Sequence, residues 1–140
     1  MEITANALQT VESNQNVLFT DTAVAGNCSM MHREGSGIVV LRGLTNTQSR
    51  ARFKVTFGGN IAVPEGGTVE AISLAIALDG ESIAPTTMTV TPAATSNFFN
   101  VANTVNIDVP KGCCFTLAVE NISSQSINVQ NANLVVERVA

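Results

Sequence analysis

Arg50-Ala51-Arg52-Phe53-Lys54-Val55-Thr56-Phe57 is the stretch whose reading decides the fold class of this chain. Ala51, Phe53, Val55 and Phe57 point one way, and Arg50, Arg52, Lys54 and Thr56 the other. A period of two is that of a strand with one buried face. Gly58-Gly59-Asn60 then predicts a break.

The same period recurs on both sides. Ile72, Leu74, Ile76 and Leu78 alternate with Ser73, Ala75 and Ala77, so the branched residues face a core and the small ones face away. Asp79-Gly80-Glu81 reads as a hairpin turn, because Asp-Gly readily takes positive φ. Ile83 to Thr91 reads as a short or edge strand bracketed by Pro85 and Pro92. Phe99, Val101, Val105, Ile107 and Val109 share one parity, and Asn103 interrupts them, which predicts a bend near Ala102-Asn103. Further runs fall at 17–22, 28–33, 38–42, 115–120, 127–129 and 134–139. The count of about eight to ten short strands, with no sustained 3.6-residue apolar period after residue 17, predicts an all-β antiparallel sandwich of jelly-roll type over 17–140. Residues 1–16, rich in Asn and Gln, are expected to form an N-terminal arm that packs on a neighbour.

Asn60-Ile61-Ala62-Val63-Pro64-Glu65-Gly66 echoes Asn106-Ile107-Asp108-Val109-Pro110-Lys111-Gly112. Each reads as a strand ending at Val-Pro, with proline second in the following turn and glycine supplying positive φ. The echo suggests equivalent corners in two halves of a double-layered sheet.

Composition narrows the chemistry. The chain has 140 residues, a net charge of −4 and 13% charged residues, about half the usual share, which argues against disorder and against a coiled coil. The acidic balance argues against sequence-independent nucleic-acid binding. No apolar run is long enough for a membrane-spanning helix, and the start lacks the basic and apolar regions of a secretory signal. Cys28, Cys113 and Cys114 have no CxxC spacing and are expected to be buried free thiols of a protein made in a reducing cytoplasm. His32 is the only histidine, in a run with Met30, Met31 and Arg33, and is expected to be an ordinary strand or interface residue rather than a catalytic base. Neither a carboxylate pair, a calcium loop nor a phosphate loop is evident, so no catalytic set, cofactor or metal is expected.

Arg33, Arg42, Arg50, Arg52 and Lys54 lie in a 22-residue window and are five of the seven basic residues. They are the candidate contact surface for an acidic partner or a neighbouring subunit. Ala75 and Ala77 are the candidate sites of close subunit packing.

The stretches 52–64, 72–80, Val109-Pro110-Lys111-Gly112-Cys113-Cys114 and Asn128-Val129-Gln130-Asn131-Ala132-Asn133 to the end resemble small virion structural proteins of tailed phages of gut Firmicutes and their prophages. The resemblance implies a non-enzymatic head decoration or head-fibre component found in the virion, with copies of itself and the major capsid protein as partners. The pattern also resembles the trimeric jelly-roll heads of tumour-necrosis-factor-like and bacterial collagen-like surface proteins, which implies a homotrimer. It departs from the latter in lacking a Gly-X-Y repeat and aromatic-rich strands. The other reading is a carbohydrate- or receptor-binding head of a tail fibre or surface protein. The absence of Trp and Tyr removes the usual stacking platform for a sugar.

Overall fold

The computed structural model describes residues 1–140. It contains two six-stranded antiparallel sheets packed face to face, a jelly-roll sandwich, with one 3₁₀ turn at Ala84–Thr86. The first sheet runs β10 (Phe99–Pro110), β6 (Arg50–Ala62), β12 (Ile127–Arg138), β1 (Glu2–Ala5), β3 (Asp21–Val24), with β2 (Gln9–Val11) also paired to β12. The second runs β4 (Met30–His32), β5 (Val39–Arg42), β11 (Cys114–Asn121), β7 (Ile72–Leu78), β8 (Glu81–Ser82), with β9 (Met88–Val90) also on β7.

The core forms where the alternation places it. Phe53, Phe57 and Ile61 of β6, Leu134 and Val136 of β12, and Ile3 of β1 are sealed from solvent. They share one apolar cluster with Leu41, Ile72, Leu74, Ile76, Leu117 and Val119 of the other sheet. Each such side chain contributes about 1.5–3 kcal/mol by leaving water.

Asp79 and Gly80 both take positive φ, 51° and 84°, as the hairpin between β7 and β8 requires. Gly66 and Gly112 do so as well, at 85° and 80°. In both echoed turns proline comes first, not second: Gly67 N–H donates to the Pro64 carbonyl (2.9 Å) and Cys113 N–H to the Pro110 carbonyl (2.9 Å). The strands they terminate, β6 and β10, are antiparallel neighbours in one sheet. The echo therefore marks opposite ends of the molecule rather than matching corners of two halves.

Other expectations give way to backbone pairing. β6 continues through Gly58-Gly59-Asn60, because β10 and β12 pair it from both sides. At Gly59 a Cβ would lie 3.1 Å from the Phe57 ring, so glycine leaves room for that ring. β10 runs without a break past Asn103, opposite Phe57. The Asn103 amide donates to the Pro85 carbonyl (3.4 Å), and its oxygen accepts from Thr104 N–H (2.8 Å). The runs at 127–129 and 134–139 join in one strand, β12, with a bulge between Gln130 and Asn133. The run 83–91 splits into the 3₁₀ turn and β9, since the Thr86 hydroxyl accepts from Ile76 N–H (2.9 Å) and pins the turn against β7.

The largest correction concerns residues 1–16, which contribute two strands to the first sheet instead of forming a separate arm. β1 pairs with both β12 and β3, β2 pairs with β12, and Ile3, Ala5 and Val11 are buried. Fully buried Asn121 fastens the segment: its amide donates to the Val11 carbonyl and to the Gln125 carbonyl, each at 3.0 Å. No helix is long and apolar enough to cross a membrane.

Candidate functional site

The fold separates the five basic residues clustered in the sequence. Arg50, Arg52 and Lys54 stand on the outer face of the first sheet. Arg42 belongs to the second sheet, where its guanidinium donates to the Cys28 carbonyl (3.3 Å). Arg33 lies beyond His32, at the far end of the β4–β5 hairpin. The window is therefore not one surface, because it spans the β4–β5 turn and two strands, one in each sheet.

Asp108 neutralises part of it. β10 places Asp108 directly opposite Arg52, whose Nε and Nη2 donate to the two carboxylate oxygens at 2.7 and 3.1 Å. Arg50 Nε approaches the same carboxylate at 3.2 Å. The Arg52 hydrogen bond holds the Asp108 carboxyl below its ordinary value, and the same bond raises the Arg52 guanidinium.

Elsewhere the fold gathers charges far apart in sequence. No Lys or Arg occurs between Lys54 and Lys111 or between Lys111 and Arg138. Yet Lys111 and Arg138 share the walls of a surface cavity of about 440 Å³ with Ser29, Thr45, Asn46 and Gly112. Antiparallel pairing explains this, since β5, β10 and β12 finish, and β6 begins, at the same end of the sandwich. Two loops form the cavity by exchanging backbone bonds: Gly43 N–H to the Cys113 carbonyl (2.8 Å) and Gly112 N–H to the Gly43 carbonyl (3.0 Å). At Gly43 a Cβ would overlap the Pro110 carbonyl at 2.1 Å, so only glycine permits this approach. Lys111 Nζ donates to the Asn46 carbonyl (3.2 Å), and Arg138 to the Ser29 hydroxyl (2.9 Å). Of the basic side chains, only Arg50 and Arg52 have a carboxylate partner. The opposite end carries Glu12, Glu65 and Glu70. The echoed turns thus place Glu65 at one pole and Lys111 at the other. Strand ends predicted at Arg42, Val109 and Val139 were the available signal for Lys111 and Arg138, but without strand pairing they indicate no shared end.

Part of the outer face of the first sheet is neutral. A row of amides crosses it: Asn100 donates to Asn60 (3.1 Å), Asn60 to Asn131 (3.0 Å) and Asn131 to Asn6 (2.6 Å). Thr56 and Thr104 pair hydroxyls beside the row (3.0 Å). Asn131 sits at the β12 bulge with φ 53°, a left-handed conformation that asparagine tolerates, and its side chain lies between Asn60 and Asn6. Asn133 donates to Glu2, and Thr10 to Asn128.

Two further expectations are corrected here. Ala75 and Ala77 are 0% and 1% exposed, so the chain itself covers them and they offer nothing to a second copy. Both lie mid-sheet on β7, opposite Glu120 and Ala118 of β11, and Ser82 of β8 flanks Ala77. Cys28, Cys113 and Cys114 are exposed, not buried, because they sit in or beside turns at the Lys111 end. His32 lies within hydrogen-bonding distance of two carbonyls, Ile38 through Nδ1 (3.0 Å) and Phe19 through Nε2 (3.2 Å), and meets the Phe19 ring edge-on. That geometry ties the β4–β5 hairpin to the preceding chain.

Comparison with known proteins adds to the fold. No protein-family model and no curated protein matches this chain. Among solved structures it is similar to the globular domain of zebrafish complement 1qA protein, with a TM-score of 0.62 and 13% identity, covering 96% of this chain and 93% of that one. A weaker likeness is to a family 35 carbohydrate-binding module from Clostridium thermocellum, with a TM-score of 0.37 and 12% identity over 96% and 97% of the two chains. At these identities the likeness is one of fold.

Proposed function

We propose that this chain is a non-enzymatic structural protein of a phage-type virion, a capsid decoration or head-associated subunit that assembles as a homotrimer. The sequence resemblance supplies the particle. The observation that carries the assembly is the amide row. Asn60 and Asn131 each donate and accept within it, so that part of the face can be buried against another copy without stranding polar groups. No side chain in the row is charged, which avoids there the usual penalty for burying a sheet face.

Analytical ultracentrifugation across the micromolar range tests the reading. A trimer is expected at all concentrations, and Asn60→Asp, which sets a charge in the row, should shift it toward monomer while the far-ultraviolet spectrum stays unchanged. A wild-type monomer throughout overturns the assembly. A map of the intact particle that lacks this density on the capsid overturns the location.

The second reading is a head that binds neutral sugars. It rests on a depression of about 270 Å³ on this face, lined by Thr4, Asn6, Asn131, Ala132 and Asn133. The amides there already bond each other, which leaves few groups for sugar hydroxyls. A glycan array with no hits removes this reading.

A further inference from the structure

We propose that the cavity between the Gly43–Asn46 loop and the Lys111–Gly112 turn is a docking site for an acidic peptide segment of a partner protein. Its position is distinct from the amide row, and it does not depend on the trimer.

Charge is the first reason. In a chain of net charge −4, Lys111, Arg138 and Arg42 collect at one end without a carboxylate partner, while Asp108 occupies Arg50 and Arg52. Folding alone does not require this, because eleven acids were available to pair seven bases. No Asp or Glu lines the cavity.

Donor geometry is the second. Lys111 Nζ is steadied by the Asn46 carbonyl, and the Arg138 guanidinium by the Ser29 hydroxyl and, through Nε, by the Ala140 backbone oxygen (3.1 Å), and both keep donors over. Steadying a cation by neutral groups leaves its charge uncompensated while reducing the entropy that a partner's carboxylate must overcome. The Ser29 and Thr45 hydroxyls and the Asn46 amide add neutral groups beside them.

Size decides the class of ligand. At about 440 Å³ the cavity is several times larger than a single carboxylate or phosphate group, and it opens broadly to solvent. It suits a short protruding segment with more than one acidic side chain, and Leu44, 36% exposed, gives that segment an apolar wall. A nucleic acid fits less well: three unpaired cations on a net-acidic chain supply little counterion release.

The test is fluorescence anisotropy with a short labelled Glu/Asp-rich peptide and the full chain. Binding that weakens as salt rises is expected. Lys111→Gln with Arg138→Gln should lower affinity roughly tenfold, about the sum of two modest charge contacts. Arg33→Gln should leave it unchanged. Lys111→Gln alone guards against a folding defect at Arg138 and should fall between wild type and the double variant. Equal losses in the Arg33 and Lys111 variants, or no binding, overturn the proposal. So does displacement of the peptide by inorganic phosphate at a lower concentration than unlabelled peptide requires, or tighter binding of a single-stranded oligonucleotide.

Discussion

The amide face lies on the first sheet and the cationic end lies where loops from both sheets meet, and the two use their polar residues in opposite ways. On the face, Asn100, Asn60, Asn131 and Asn6 bond one another across four segments that are neighbours in the sheet and distant in the chain. At the end, Lys111 and Arg138 are oriented by neutral oxygens and left without counter-charges. Side chains that satisfy each other belong to the architecture. Charges held in place but uncompensated remain available to something outside the chain. Substitutions on the face should therefore act on stability and assembly, and those at the end on binding.

The most severe way to break the comparison is to remove residues 1–12. That takes away β1 and β2, which flank β12 on the face, and with them buried Ile3 and Val11. The shortened chain should fail to give a dispersed amide spectrum by NMR. A well-folded product would restore the reading of this segment as a separable arm. Next comes the core beneath the face: Phe57→Ala should lower the free energy of unfolding by about 3–5 kcal/mol in urea titration, as expected when a sealed aromatic ring leaves a cavity.

On the face itself, Asn131→Ala should destabilise by about 1–2 kcal/mol, through two lost amide bonds and a left-handed backbone that alanine resists. Asn131→Gly should recover the backbone part, which separates strain from hydrogen bonding in thermal melts. At the cationic end, Lys111→Gln should change stability by less than about 0.5 kcal/mol, even though it weakens peptide binding.

The smallest effect sharpens the boundary between the two regions, where Arg52 meets Asp108. The folded value of the Asp108 carboxyl lies below its ordinary 3.8, so the pair's contribution is present above that value and is lost as pH falls through the folded value. Arg52→Gln should raise the Asp108 titration midpoint in side-chain carboxyl NMR and remove this acid-side dependence. An unchanged midpoint would mean that Arg50 alone suffices.

Strands were legible where alternation was long. β6 and β7 begin at the predicted residues, and β5, β10 and β11 within one residue of them, because period-two patterns over five or more residues report burial directly. β1 and β2 were not, since strands of four and three residues carry too little alternation to stand out in an Asn- and Gln-rich stretch. The continuity of β6 through Gly58-Gly59 and of β10 through Asn103 was hidden for a different reason. Local propensity argues for a break there, and pairing with neighbours more than 40 residues away overrides it. The basic window at 33–54 was visible and misleading, while Lys111 and Arg138 were visible only as isolated residues.

Residue order alone settles the fold class, the faces of the long strands and the turns at Asp79-Gly80, Gly66 and Gly112, because these depend on side-chain period and on which residues tolerate positive φ. Where charges and amides meet is decided only by the pairing of distant strands. Antiparallel register brings residues 42, 111 and 138 to one end and 6, 60, 100 and 131 into one row, and register is a property of two strands at once, which neither strand's sequence contains.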